Sequence, residues 1–442
     1  MSLRYRAVRG MRDLASEAAA ELRRVEDQCV AAARAFGYEE IRLPLVESTD
    51  LFSRGIGEAT DIVAKEMYVF DDRRGNSLAL RPEGTAGCVR ACIQQGLLHN
   101  RTQRLWYAGP MFRYERPQQG RYRQFDQFGA EIFGVGGPEA DAELIQMVAA
   151  IWDGLGLRDA VRLEINALGS SASRAAYGEA LVAYLAPYED ELDGDSRQRL
   201  HLNPLRILDS KVESTRRILE EAPNLADYLD AGERAQFDTL RELLDSLGLP
   251  YRVNRRLVRG FDYYTHAVVE WVAEGIGSQD AVCAGGRYDG LIELFGGRPT
   301  PAAGFALGID RVALLLREVA DASANASVEA SAACSAGALS YSAADVHVVV
   351  QDRKYMPAAM AAAQALRVRV PGLRVRMDAG GGGLSAQFRR ADRSGACWAM
   401  IVGEDEIAQN RVSLKWLRAN RPQVTASMDE VAAAIRESQA QD

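Results

Sequence analysis

The sequence predicts an α+β body that carries a mostly helical insertion and is followed by a small α/β domain. Three observations carry this. Two strand-like runs, Leu105-Trp106-Tyr107-Ala108-Gly109-Pro110-Met111-Phe112 and Phe125-Asp126-Gln127-Phe128-Gly129-Ala130-Glu131, flank an arginine-rich turn. Residues 171–250 are rich in Leu, Ala, Glu and Arg at helical spacing. An Ala- and Ser-rich stretch without periodicity, 320–344, precedes alternating strand and helix patterns.

In chain order, 17–36 reads as an amphipathic helix, and 37–44 as a strand entering a loop at Pro44. In the hairpin, strand residues alternate faces. Arg113 and Glu115 therefore share one face, as do Phe125, Gln127, Gly129 and Glu131. The opposite face carries Phe112, Phe128, Ala130 and Ile132, which suit a core, and parity turns Asp126 away from the first face. One side packs; the other offers two carboxylates, an amide, an arginine and an aromatic plane. Arginine pairs bidentately with phosphate and a flat ring stacks on a base, so the constellation suits a nucleotide.

Beyond the linker, 346–350, 373–377 and 398–403 read as strands, with helices at 356–370 and 384–394 between them. A small, mainly parallel α/β domain is expected. Asp378-Ala379-Gly380-Gly381-Gly382-Gly383 lacks the Gly-Lys-Ser/Thr ending of a phosphate loop and reads as a tight strand-to-helix turn.

Charge divides the same way. From Asp345 onward there are 14 Lys and Arg against 11 Asp and Glu, which leaves 39 against 50 for the rest of a chain with net charge −8. A modestly basic C-terminal domain can meet phosphates while an acidic body limits nonspecific adhesion. The 442 residues hold no run of 18 apolar residues, and Met1-Ser2-Leu3-Arg4-Tyr5-Arg6 lacks a signal-peptide hydrophobic region, so a soluble cytoplasmic protein without membrane partners is expected. Six scattered cysteines do not form a disulfide framework. Cys88 and Cys92 share a helix face as buried thiols, and no structural metal is expected.

The hairpin resembles motif 2 of the class II aminoacyl-tRNA synthetases, in the form seen in histidyl-tRNA synthetases. Leu80-Arg81-Pro82-Glu83-Gly84-Thr85, Leu257-Val258-Arg259-Gly260-Phe261-Asp262-Tyr263-Tyr264 and Ala284-Gly285-Gly286-Arg287-Tyr288-Asp289-Gly290 resemble further signatures of that family. Gly304-Phe305-Ala306-Leu307-Gly308-Ile309-Asp310-Arg311 resembles motif 3, and 37–44 loosely resembles motif 1, the dimer-interface element. The segments follow the family's order along nearly the whole chain.

The resemblance implies an antiparallel-sheet catalytic domain over 1–319, with the insertion at 171–250, and an anticodon-binding domain over 345–442. It implies ATP-dependent activation of L-histidine to histidyl-adenylate, then transfer to the 3′ end of histidine tRNA by a homodimer. Arg113 and Arg259 are the expected catalytic residues at the α-phosphate, Arg259 taking a place that metal holds in relatives. ATP falls to Arg113, Glu115, Arg121, Phe125, Gln127 and Arg311, with magnesium accompanying its phosphates. For histidine, Glu131 and Tyr264 match the imidazole readers, and Glu83, Thr85 and Gln127 match the residues holding the α-amino group. Arg113, Arg259, Tyr263 and Tyr288, the last closing the pocket, complete that set. Arg116 and Gln118 are expected at the tRNA acceptor end, Gln118 as reader of the extra 5′ guanosine. The regulatory subunit of ATP phosphoribosyltransferase shares this fold but should lack the anticodon domain and several of these arginines, and the sequence has both.

Overall fold

The structure is a computed structural model that describes residues 5–57, 60–99, 101–273, 281–328 and 344–439. It divides into two compact units, Met1–Leu14 with Glu21–Ala332, and Ala15–Ala20 with Ala333–Asp442.

The larger unit is built on an eight-stranded sheet. Its strands run, across the sheet, Glu39–Glu40, Gln103–Phe112, Gln124–Phe133, Ala302–Gly308, Ala281–Arg287, Thr265–Ala273, Val161–Ala167 and Tyr251–Val253. All pairings are antiparallel except those of the two short edge strands. Strand alternation sorts the side chains into two cores. Trp106, Phe128, Ala130 and Ile132 join Phe305 and Leu307 under the helices Glu17–Ala35, Glu139–Leu155 and Ile309–Val328. Leu105, Tyr107 and Phe133 join Tyr263, Tyr264, Val268 and Tyr288 under Thr85–Gln94, where Cys88 and Cys92 are fully buried. The site lies on this second face.

The stretch 171–250 folds as helices Ser171–Leu185, Gly194–Leu202, Glu213–Ile218 and Ala231–Ser246 with short 3-10 turns. Each long helix is started by its own cap. Ser170, Asp193 and Asp230 accept backbone N–H groups three residues on, and Glu233 returns the bond to Asp230 N at 2.9 Å. Three expectations are corrected. Only Glu39–Glu40 of 37–44 is a strand, although Ile41 N still donates to Trp106 O at 2.9 Å. Arg113 and Glu115 lie just past the strand that ends at Phe112. The helix bearing Arg311 continues to Val328, into the stretch read as linker, since its alanines favour helix. The rest of that stretch, up to 343, is outside the described residues.

The C-terminal unit is a five-stranded sheet ordered Val375–Met377, Val346–Val350, Trp398–Val402, Val412–Trp416, Val424–Ala426. The first three strands are parallel, as expected. The last two are added antiparallel, the first of them after the short helix Glu404–Ala408, so the sheet is mixed rather than mainly parallel. Gly381 and Gly382 take positive φ in a tight turn before the helix Leu384–Arg393, and Arg390 holds Asp378 through two bonds of 2.8 and 2.9 Å.

Candidate active site

A cleft of about 420 Å³ opens on the second face of the large sheet. The hairpin supplies Arg113, Glu115, Arg121, Phe125 and Gln127; the strand-to-helix corner at Gly308 supplies Arg311; the loop after Leu257 supplies Arg259, Phe261 and Tyr264. Segments far apart in sequence thus deliver their charged groups to one space.

Its charge is unbalanced locally. Arg113 donates through Nε to Pro82 O at 2.9 Å, and its guanidinium lies 5.3 Å from the Phe125 ring centre and 6.0 Å from that of Phe261. Arg121 faces Glu115 at 3.3 Å. Arg311 donates to Ala281 O at 2.7 Å and Gly120 O at 3.3 Å. Burial, then the neighbouring charge of Arg121, lowers the Arg311 pKa, with Glu115 opposing and Arg113 adding to the fall. Crowded guanidinium groups of this kind are relieved by a bound anion. Arg259 is the exception. Burial works against its charge, but Glu270, whose Oε1 accepts from Nη1 at 2.9 Å, holds its pKa above the usual arginine value. Arg259 Nε and Gln127 Oε1 are buried and have no partner, which leaves both for a ligand.

Beneath the cleft Glu131 is almost inaccessible. Its Oε1 accepts from Thr85 Oγ1 at 2.7 Å and Tyr107 Oη at 2.9 Å, and its Oε2 from Tyr288 Oη. Burial nevertheless pushes its pKa up to about 8 against these bonds. Tyr107 is fitted by absence of neighbours: a Cβ on Gly84 or on Gly129, which is paired with it across the hairpin, would overlap its ring. Tyr263 packs 4.7 Å from Tyr264 and edge-on to Tyr288 at 5.6 Å.

The expected residues thus fall into three groups. Arg113, Glu115, Arg121, Phe125, Gln127, Arg259, Tyr264 and Arg311 line one cleft. Thr85, Glu131, Tyr263 and Tyr288 form a layer below it. Tyr288 bonds Glu131 from within the core, Glu131 is buried, and Gln127, little exposed, lines the cleft floor. Glu83 is also buried, and its two oxygens are taken by the backbone N–H groups of Thr85 and Ala86 at 2.6 and 2.9 Å, so it starts the helix Thr85–Gln94. Arg116 and Gln118 are exposed at the hairpin turn, where Gln118 and Arg121 exchange backbone bonds of 3.1 and 2.9 Å. Asp126 is not among the residues lining the cleft, and its backbone N–H donates to Asp310 Oδ2 at 2.7 Å.

Sequence reasoning missed Tyr107 and Glu270. Glu270 is a lone carboxylate in the apolar strand Thr265–Ala273, and such a residue requires a cation, which was the available signal.

A mostly antiparallel sheet with an arginine hairpin and a strand-to-helix arginine at one cleft defines a class II aminoacyl-tRNA synthetase. Residues 10–312 match the family model described as histidyl-tRNA synthetase, and 345–438 match that of an anticodon binding domain. The apo histidyl-tRNA synthetase of S. aureus is 34% identical over 97% of this chain and 99% of its own, with a TM-score of 0.74. Two more distant structures share the fold. One is a histidyl-tRNA synthetase from Nostoc, 19% identical over 98% of this chain and 100% of its own, TM-score 0.70. The other is a Bacillus halodurans protein described as an ATP phosphoribosyltransferase regulatory subunit/histidyl-tRNA synthetase, 22% identical over 91% and 100%, TM-score 0.64. The chain belongs to the histidyl-tRNA synthetase family, and as a member it is a histidine–tRNA ligase, activating histidine with ATP and charging histidine tRNA.

Proposed function

We propose that histidine and ATP meet in the arginine-lined cleft, with its residues in the following roles. Attack of the histidine carboxylate on the α-phosphate gathers negative charge on that phosphorus, so the protein's task is positioning and charge stabilisation. Arg113 and Arg259 meet that charge. Arg121 and Arg311 bind the remaining phosphates and the nucleotide, and Phe125 stacks on adenine. Gln127, whose buried Oε1 has no partner, accepts from the α-ammonium. Glu83 meets the α-ammonium too, its carboxylate held in place by the Thr85 and Ala86 N–H groups, which take one acceptor site on each oxygen and leave others open. Glu131 and Tyr264 read the imidazole, and Glu270 orients Arg259. The observation that carries this reading is the convergence of four arginines from three separate segments on one cleft beside a buried carboxylate.

Magnesium fits as a companion of ATP rather than as a resident ion. Among the described residues no group of three His, Cys, Asp or Glu could hold a metal, yet Glu115, whose Oε2 is ion-paired with Arg121 at 3.3 Å, places a hard carboxylate oxygen in the cleft. When bound, the ion would neutralise phosphate charge. The hairpin turn, with Arg116 and Gln118, receives the acceptor end, and the 3′-hydroxyl of the terminal adenosine then takes the histidyl group. A homodimer is supported by the exposed apolar Val46, Val69 and Phe70 on the small sheet of Val46–Ser48, Ser77–Leu80 and Tyr68–Asp71. The cytoplasm is where such an enzyme finds its ATP and tRNA.

Arg259→Ala tests the assignment. Histidine-dependent pyrophosphate exchange should fall by roughly 10²-fold or more, the scale of losing a preorganised charge donor. Exchange close to the parent's, in a folded variant, removes Arg259 from the phosphate.

A further inference from the structure

The loop that presents Arg259 and Tyr264 lies outside helix and strand, so its backbone needs partners from elsewhere. The helical insertion provides them. Arg206 donates through Nη1 to the Arg259 carbonyl at 3.2 Å, and Arg174 donates to the carbonyls of Asp262 at 3.2 Å and Tyr264 at 2.6 Å. Asn203 donates to Asp262 Oδ1 at 2.9 Å. From the catalytic body the loop is met by Ile56 O, which accepts from Asp262 N at 3.0 Å. Gly260 leaves room for the approach: a Cβ there would stand 3.1 Å from Arg206 Nη1, so the guanidinium would have to give way slightly. Arg206 also reaches the wall of the cleft.

A guanidinium bonded to a carbonyl fixes the peptide that carries it, and the Arg259 peptide sets where the Arg259 side chain starts. We propose that Arg206 is a positioning residue for adenylate formation, through which the insertion holds Arg259 in register with the α-phosphate. Arg174 and Asn203 complete the clamp along the loop. The proposal rests on the assignment of Arg259 to that phosphate. It gives the insertion a part in the first half-reaction, before any tRNA is bound.

The test is a double-mutant cycle on the full chain, read by histidine-dependent pyrophosphate exchange. Arg206→Met should lower kcat by roughly tenfold to 10²-fold, the scale of a displaced catalytic group, with KM for ATP and histidine little changed. Arg206→Lys, which keeps a donor, should recover most of the loss. In an Arg259→Ala background Arg206→Met should cost nothing further. Equal losses in both backgrounds, or full exchange by folded Arg206→Met, would overturn the proposal. Should Arg206→Met melt well below the parent, Arg206→Gln, too short to reach the carbonyl, is read in the same cycle with the same outcomes. An Arg259→Ala enzyme with unimpaired exchange would instead sink the assignment of Arg259, and the proposal with it.

Discussion

Gly304 lies directly opposite Glu131 in the antiparallel pairing of Ala302–Gly308 with Gln124–Phe133, and any Cβ at position 304 would overlap Glu131 Oε2. The carboxylate therefore occupies the space that a side chain on the neighbouring strand would fill. Its other sides are closed by the hydroxyls of Thr85, Tyr107 and Tyr288. The carboxylate proposed to read histidine is thus fixed by a missing atom on one side and three donors on the others.

Gly304→Ala should consequently weaken histidine more than ATP. Forcing a methyl into a packed site costs about 1–3 kcal/mol of stability unless Glu131 shifts, and a displaced Glu131 should lower histidine affinity by roughly tenfold. Gly304 does not line the cleft, so ATP binding should change little. Calorimetric titration of each ligand decides it. Histidine binding equal to the parent's, at an unaltered melting temperature, would mean that Glu131 is not held as described.

The pH dependence of stability offers a separate view of Glu131. Folding raises its pKa from the ordinary glutamate value of 4.5 to about 8 by burial. Between those values the native state holds a proton that the unfolded chain has released. Glu131 thus contributes most favourably below about pH 4.5, and stability falls as pH rises through the window, by up to about 1.4 kcal/mol per pH unit. Glu131→Gln removes this titration but keeps the side chain's size. Measured by denaturant unfolding, the parent should lose stability relative to the variant from pH 5 to pH 8. Parallel curves would place the proton elsewhere.

How much of this was legible in the sequence depends on what kind of fact each residue carries. Arg113 stood out because a charged residue interleaved with Phe and Gly on a strand face has few structural uses, whereas Arg259 and Arg311 were legible only through the family resemblance, Arg311 by itself reading as a solvent-facing helix arginine. The hairpin, the helical insertion and the first three strands of the C-terminal sheet followed from periodicity. Tyr107 was hidden, since Leu105-Trp106-Tyr107 reads as ordinary strand and its value comes from Glu131 on the adjacent strand and from the glycines at 84 and 129. Register is a property of two segments, and neither one announces it alone. The same holds for the anchoring of Glu83, whose carboxylate also accepts from two backbone N–H groups at the start of the following helix, a contact its own segment does not announce. The end of the long helix was misplaced for a simpler reason, because alanine-rich sequence serves helix and linker alike.

The C-terminal unit is open to a direct test. A chain stopped after Val328 keeps every residue assigned to adenylation and the whole helix that carries Arg311, and it loses the five-stranded sheet that matches an anticodon binding domain. If that unit grips the anticodon, the fragment should still exchange pyrophosphate with histidine, yet charge tRNA poorly, because the acceptor end is no longer held at high effective concentration beside the cleft. Supplying the missing unit as a separate chain should restore little, since the advantage comes from the covalent connection. Both activities are to be measured on one preparation that sizing chromatography shows to be folded. Exchange lost together with charging, from such a preparation, would mean that the C-terminal unit helps to build the adenylation site. Charging retained at the parent's rate would mean that recognition of the tRNA resides entirely in the larger unit, with the exposed hairpin turn at Arg116 and Gln118 and the helical insertion as its remaining contacts.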